Sequence, residues 1–158
     1  MNSADDRAAV SGTNAPVEHR FELRIYYEDT DHGGVVYYAN YLKYMERART
    51  EFMRGYGIEL DRLQTELDAL FAVTEAHIHY RRPARFNDAL CIYSTLSHAL
   101  GARLCFRQCV MRGDEILVDG EIKLACMNSA GRARRIPQPV LNKIGQAVNA
   151  EPATRKNI

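Results

Sequence analysis

The sequence predicts a two-layer α+β domain in which one antiparallel sheet packs against one long helix. Side chains of alternating polarity indicate one strand near the start of the chain and four more after Phe71. Between them, apolar side chains recur every three or four positions over about five helical turns. Short turns join the last strands, so we expect sequence neighbours to pair in antiparallel fashion.

The bulk composition favours a single domain. The chain has 158 residues, which we divide into a flexible segment 1–18, a domain 19–148 and a flexible tail 149–158. A net charge of +1 argues against a nucleic-acid partner or an anionic membrane surface. The sequence has no long apolar run and no apolar stretch near its start, which predicts a cytoplasmic protein without membrane insertion.

The four cysteines do not follow a zinc or redox pattern. They are Cys91, Cys105, Cys109 and Cys126, and none forms a C-x-x-C pair. We expect reduced thiols that serve as small core side chains, and no metal site.

The first strand begins at His19 and leads into an acidic loop. Phe21, Leu23, Ile25 and Tyr27 are predicted to share its apolar face. Glu28, Asp29 and Asp31 follow, and then His32, Gly33 and Gly34.

The long helix begins at Tyr38, or at Asn40 with that residue as its N-cap, and ends at the glycines 55 and 57. A second, shorter helical segment is predicted from Ile58 to Leu67. The apolar stripe predicted for the long helix consists of Tyr38, Tyr41, Leu42, Met45, Ala48, Phe52 and Met53.

Four strands and a last short helix complete the chain. The strands are predicted at about 71–82, 89–96, 104–110 and 116–124, and the helix at 139–148. On each of the last two strands four side chains are expected to share one face, namely Leu104, Phe106, Gln108 and Val110 on the first and Ile116, Val118, Ile122 and Leu124 on the second. The helix covers one sheet face, so the other face would be left partly bare unless a second subunit covers it. The pattern therefore predicts a homo-oligomer.

The acidic loop is the candidate site. A carboxylate beside a glycine turn and a helix start can place a base or nucleophile close to an N–H that stabilises an oxyanion. For Asp31 the competing interpretation is an aspartate that only caps a turn.

Three segments closely resemble the active-site signature and following strand of the 4-hydroxybenzoyl-CoA thioesterase family, and within it the YbgC branch. This branch contains acyl-CoA thioesterases associated with the Tol–Pal system. The matching residues are Arg24-Ile25 with Thr30-Asp31 and Gly34-Val35-Val36, then Tyr41 to Glu51, and Tyr80 to Asp88.

The resemblance implies a hotdog fold, a five-stranded antiparallel sheet wrapped around a central helix, in dimers or tetramers with sites at subunit interfaces. It implies hydrolysis of acyl-CoA without a metal or any cofactor beyond the CoA of the substrate. The catalytic carboxylate maps onto Asp31, as nucleophile or general base, and the oxyanion donor onto the Tyr38 main-chain N–H. The branch commonly has a histidine where this chain has Tyr38.

Further candidates surround this pair. Gly34 permits the close turn, and His32 and Tyr27 are candidates for substrate contact. Arg82, Arg85 and Arg134 are candidates for binding the CoA phosphates. His77 and His79 are two residues apart and share a strand face. This spacing could bind a metal, but two histidines on a half-exposed sheet face are the simpler explanation.

Two other functions stay open at this stage. One is an acyl-CoA or acyl carrier protein binding module that has lost turnover. The other is a partner protein of an envelope or lipid-synthesis complex. The preferred prediction is hydrolysis of a short-chain or aromatic acyl-CoA.

Overall fold

The computed structural model describes residues 18–148, which form a five-stranded antiparallel sheet and three α-helices. Strands β1 to β5 span His19–Arg24, Leu70–Tyr80, Ala89–Leu100, Arg103–Arg112 and Glu115–Met127. Helices α1 to α3 span Asn40–Gly55, Leu60–Leu67 and Gln138–Val148. The α+β class is confirmed. The segments 1–18 and 149–158, expected to be flexible, lie outside the described residues apart from Glu18.

The strands are ordered β1-β3-β4-β5-β2, and every neighbouring pair is antiparallel. The turns at Gly101 and Gly113, both with positive φ, join the three central strands as hairpins. Strand β2 follows the two helices and pairs only with β5 among the described residues. One edge of β2 therefore has no strand partner among residues 18–148.

Helix α1 packs its apolar face against β1 and β3. Its buried side chains are Tyr41, Tyr44, Met45, Ala48, Arg49, Phe52 and Met53. Leu42 was predicted in this stripe but is exposed, and Tyr38 precedes the helix. Leu42 falls on the flank of the helix that it shares with Glu46, because residues four apart lie one above the other.

Strand β1 ends at Arg24, earlier than predicted, and Tyr27 does not face the core. Tyr27 opens a 3₁₀ turn, Tyr27–Asp29, and 83% of it is exposed. The turn forms because the Asp29 carboxylate accepts the Tyr26 N–H at 2.7 Å while the Asp29 N–H donates to the Tyr26 carbonyl at 3.1 Å. These two bonds bend the chain away from the sheet.

Ile116 was predicted to share a face with Val118, and this is wrong because β5 contains a bulge. Val110 is opposite Val118, but Met111 is opposite Ile116, so Leu117 is an extra residue. Leu117 and Val118 are both buried, whereas Ile116 is 38% exposed. The other side chains predicted on these two faces of β4 and β5 are buried.

Charged side chains pair across the outward face of the sheet. Lys123 pairs with Glu75 at 3.1 Å, and Arg81 pairs with Asp119 at 2.9 Å, both across neighbouring strands. The cysteines are free thiols, and only Cys126 is buried as expected of a core side chain. The outward face is therefore partly charged, and the homo-oligomer stays a prediction.

Uncovered apolar surface lies on the inward face of β2. Val73 and Tyr80 point to the same side as the buried Leu124 and Val118 opposite them. They nevertheless stay exposed, Val73 by 52%, because α1 packs over the other edge of the sheet. We call Val73, Ala76 and Tyr80 the uncovered strip.

A buried polar network joins α1 to the sheet. Gln108 on β4 accepts a hydrogen bond from the Arg49 guanidinium at 2.9 Å and donates to Ser94 Oγ and to the Met45 carbonyl, both at 2.9 Å. Arg49 is only 8% exposed, and burial lowers the pKa of its guanidinium. Gln108 thus provides the hydrogen-bonding group that a buried charge requires.

We expect Gln108→Leu to lower the free energy of unfolding by about 3 kcal/mol, because it leaves a buried guanidinium and a hydroxyl unsatisfied. Urea unfolding at fixed protein concentration measures this. Gln64→Leu, on the exposed surface of α2, is the matched control and should stay within about 0.5 kcal/mol of the parent. Equal losses in the two variants would contradict a stabilising role for the network.

Candidate active site

The chain from Asp29 to Tyr37 folds back on itself as a small hairpin. The Tyr37 N–H donates to the Asp29 carbonyl at 2.9 Å, and the Asp31 N–H donates to the Val35 carbonyl at 2.8 Å. Thr30 and Val36 pair between them. The acidic loop is therefore a defined structure that ends beside the start of α1.

Asp31 lies at the exposed tip of this hairpin. Its Oδ1 accepts the Gly33 N–H at 2.8 Å, and its carbonyl accepts the Gly34 N–H at 3.0 Å. Gly34 has a φ of 78°, a conformation that favours glycine. The second carboxylate oxygen has no hydrogen-bond partner among residues 18–148. One oxygen thus caps the turn, as the competing interpretation expected, and the other stays available.

The start of α1 carries no side-chain cap. Ala39 is the N-cap residue and contributes no side-chain hydrogen bond. Asn40 is the first helical residue, so its interpretation as the N-cap is wrong; its amide donates instead to the Asp29 carbonyl at 2.9 Å. In the part of the chain that the structure describes, the Tyr38 N–H meets no acceptor. A main-chain donor is therefore open at the positive end of the helix dipole.

Tyrosine rings pack together at the residue that carries this open N–H. The Tyr38 side chain is 62% exposed, and its ring contacts those of Tyr37 and Tyr80 edge to face, with centroids 4.9 and 6.2 Å away. The Tyr80 hydroxyl donates to the Tyr38 carbonyl at 3.0 Å. The start of the helix is thus held from the end of β2.

A second attachment fixes the hairpin to the segment after β2. The Val36 N–H donates to the Ala84 carbonyl at 2.8 Å, and the Ala84 N–H donates to the Tyr41 hydroxyl at 3.0 Å. Val35 pairs with Arg85. Arg85 is exposed and lies next to the hairpin that carries Asp31.

Arg82 belongs to an ion-pair network beside this segment. Its guanidinium lies 3.1 Å from Glu115, which also pairs with Arg112 at 2.7 Å. Arg112 in turn pairs with Asp88 at 2.7 Å. Partial burial alone would raise the pKa of Asp88, but the Arg85 N–H and the Arg112 guanidinium together hold it below its ordinary value.

Arg134 lies at the other end of the molecule. Its guanidinium donates to the carbonyls of Leu67 and Asp68, where α2 ends. Ala133 bridges to Met127, which pairs with Leu70 at the start of β2. Tyr80 ends the same strand about 33 Å away. Within one protomer, Arg134 is therefore not brought to Asp31.

The structure brings most of the other candidates together. Gly34 and His32 lie in the hairpin with Asp31, and His32 is exposed. Tyr27 lies just before the hairpin, with its ring 6.3 Å from that of Phe86. Tyr80 lies in one of the segments that matched the family, but sequence reasoning assigned it no role, because only the sheet topology places the end of β2 against the helix start.

The residues described offer no evident metal centre. No group of three or more histidine, cysteine or acidic side chains is arranged to hold an ion within residues 18–148. His77 and His79 point outward, where Glu75 and Asp119 are their partners. None of the described helices is long and apolar enough to cross a membrane.

Comparison with known proteins gives consistent matches. Residues 33–118 match the family model described as the thioesterase superfamily. The acyl-CoA thioesterase YbgC of Haemophilus influenzae is 40% identical over 108 residues, which cover 68% of this chain and 79% of that protein. The acyl-CoA thioester hydrolase YbgC of Escherichia coli O157:H7 is 34% identical over 129 residues, covering 80% and 96%.

A solved structure agrees with these matches. The crystal structure of a probable thioesterase from Bartonella henselae superimposes with a TM-score of 0.74 at 36% identity, over 76% of this chain and 99% of that one. The hotdog fold expected from the sequence is therefore confirmed.

The Asp88 network predicts a pH dependence of stability. A pKa held below the ordinary 3.8 contributes stability that is present above that pH and is lost as the pH falls through the lower folded value. We expect Asp88→Asn to lower the free energy of unfolding at pH 6 by about 2 kcal/mol, because a charged hydrogen bond is lost. The difference should shrink below pH 4, as chemical denaturation at several pH values would show. A constant difference down to pH 2.5 would contradict this.

Proposed function

The chain belongs to the thioesterase superfamily, and from that premise we propose that it hydrolyses acyl-CoA thioesters with Asp31 and the Tyr38 N–H as its reacting groups. One observation carries the proposal. A single hairpin holds an exposed carboxylate, with one oxygen free of partners, and leads directly into a main-chain N–H that meets no acceptor among the described residues. These are the two groups that acyl transfer requires.

The chemistry follows from the charges that develop. When the thioester carbonyl is attacked, its oxygen becomes negative, and an N–H donor at a helix start stabilises it by about 3 kcal/mol. The Asp31 carboxylate either attacks the carbonyl carbon, forming a mixed anhydride that water then hydrolyses, or takes the proton of the attacking water. In both routes the C–S bond breaks and CoA leaves as a thiolate, so no strong general acid is needed.

The tyrosine at position 38 is compatible with this mechanism. The donor is the main-chain N–H, which does not depend on whether the side chain is a histidine or a phenol. The ring of Tyr38 is partly exposed beside Tyr37 and Tyr80. These rings form an aromatic wall next to the N–H, and we assign to it the contact with the acyl group, short-chain or aromatic.

The CoA phosphates are assigned to arginines near the hairpin. Arg85 is exposed beside Val35, and Arg82 keeps donors beyond its pairing with Glu115. His32 and Tyr27 complete the exposed surface around Asp31. Hydrolysis by these groups uses no metal and no cofactor beyond the CoA of the substrate.

A homodimer through β2 would complete the site. The unpaired edge of β2 and the uncovered strip are on the same side of the molecule, so a second copy paired there would extend the sheet and bury the strip. Antiparallel pairing of the two β2 strands would bring the partner's start of β2 toward Tyr80. The region of Arg134, remote within one protomer, would then approach the site from the second subunit.

We expect Asp31→Asn to lower kcat for CoA release at least about 100-fold, because the amide neither attacks nor accepts a proton. Free thiol is measured across a panel of short-chain and aromatic acyl-CoAs. Glu28→Gln, an exposed carboxylate of the same loop, is the matched control and should keep activity within about twofold of the parent.

The panel also separates hydrolysis from simple binding. If the parent chain and Asp31→Asn release CoA equally slowly while both bind an unreactive acyl-CoA thioether, the protein is a binding module for acyl-CoA or acyl carrier protein.

The proposed dimer can be tested by its self-association. Val73→Lys should weaken self-association at least about 30-fold, because the partner would bury an unpaired charge. Sedimentation velocity over a concentration series measures this. Leu100→Lys, an exposed apolar residue at the end of β3 and outside the uncovered strip, is the control. Unchanged association of Val73→Lys would place the interface elsewhere.

A further inference from the structure

Tyr80 is the last residue of β2, and its hydroxyl reaches the main chain at the start of α1. The hydroxyl donates to the Tyr38 carbonyl at a distance of 3.0 Å. The two residues are 42 positions apart in sequence, so the contact depends on the tertiary fold. It joins the edge strand to the residue whose N–H is the candidate oxyanion donor.

The hydrogen bond from Tyr80 supplies the Tyr38 carbonyl with a donor that helix α1 does not provide. In an α-helix that continued through Tyr38, its carbonyl would accept the N–H of Leu42. The Leu42 N–H instead donates to the Ala39 carbonyl at 3.2 Å, three residues back. Among residues 18–148 the Tyr38 carbonyl therefore has no main-chain donor, and the Tyr80 phenol takes that place.

The Tyr80 ring is fixed on two sides. Its centroid lies 6.2 Å from the Tyr38 ring and 5.8 Å from the Tyr41 ring, both edge to face. Tyr41 is itself buried, and its hydroxyl accepts the Ala84 N–H at 3.0 Å. Partial burial first, and then the neighbouring Tyr38, raise the pKa of the Tyr80 hydroxyl.

We propose that Tyr80 is a positioning residue for hydrolysis: its hydroxyl holds the Tyr38 carbonyl outside the helical ladder and so fixes the backbone orientation of Tyr38, whose N–H is the donor to the thioester oxygen. This inference rests on the proposed function. Because an oxyanion donor acts mainly on the transition state, the loss of its alignment should appear in kcat rather than in substrate binding.

Tyr80→Phe is the test, since it removes the hydroxyl and keeps the ring contacts. We expect kcat for acyl-CoA hydrolysis to fall about tenfold, with KM and the affinity for an unreactive acyl-CoA thioether within about twofold of the parent. Tyr56→Phe, at the other end of α1, is the matched control and should leave both constants unchanged. Circular dichroism confirms that the variants are folded at the assay temperature.

The outcomes separate this inference from the proposed function. If the parent chain hydrolyses acyl-CoA and Tyr80→Phe retains its kcat, or loses affinity for the thioether in proportion, the positioning role is overturned while the function stands. If the parent chain and Asp31→Asn are equally inactive, the proposed function fails and the role of Tyr80 fails with it.

Discussion

The structure depends on one carbonyl group, that of Asp29, which accepts two hydrogen bonds. The Tyr37 N–H and the Asn40 side-chain amide both donate to it at 2.9 Å. The first bond closes the hairpin that carries Asp31, and the second ties the hairpin to the first residue of α1. A carboxylate and a helix start that are separate in the chain are thereby held as one unit. The Asp29 side chain adds the 3₁₀ turn that leads the chain out of β1.

The helix start is less stable than it could be. Ala39 provides no capping side chain, where serine or aspartate would typically add about 1 kcal/mol. Asn40, which could cap a helix from the preceding position, is used to hold the loop. The packing of α1 on the sheet compensates, since seven of its side chains are buried and Gln108 joins it to β4. Leaving the first N–H groups open is what an oxyanion site requires.

Periodicity predicted every α-helix and strand of the described chain to within a few residues, and the resemblance pointed to the acidic loop that carries Asp31. The misses have physical causes. The alternation of apolar and polar residues along β5 does not reveal that Leu117 is an extra residue, so Ile116 was placed on the wrong face. By its spacing Tyr27 continues the apolar face of β1. The hydrogen bond to the Asp29 carboxylate turns the chain away from the sheet before Tyr27, and the sequence pattern does not show this. Tyr80 was matched by the resemblance but given no role, because that role depends on sheet topology. The ion pairs across the outward face were not predicted, because they cannot be seen before the register is known.

The open edge of β2 has a consequence for the newly synthesised protein. One open edge along the eleven residues of β2, beside an apolar face, is a template on which an extended segment can add. A protomer with this edge uncovered is thus exposed to aggregation. Pairing of two β2 strands, as in the proposed homodimer, would remove that exposure, and chaperones that shield strand edges would protect the protomer until then.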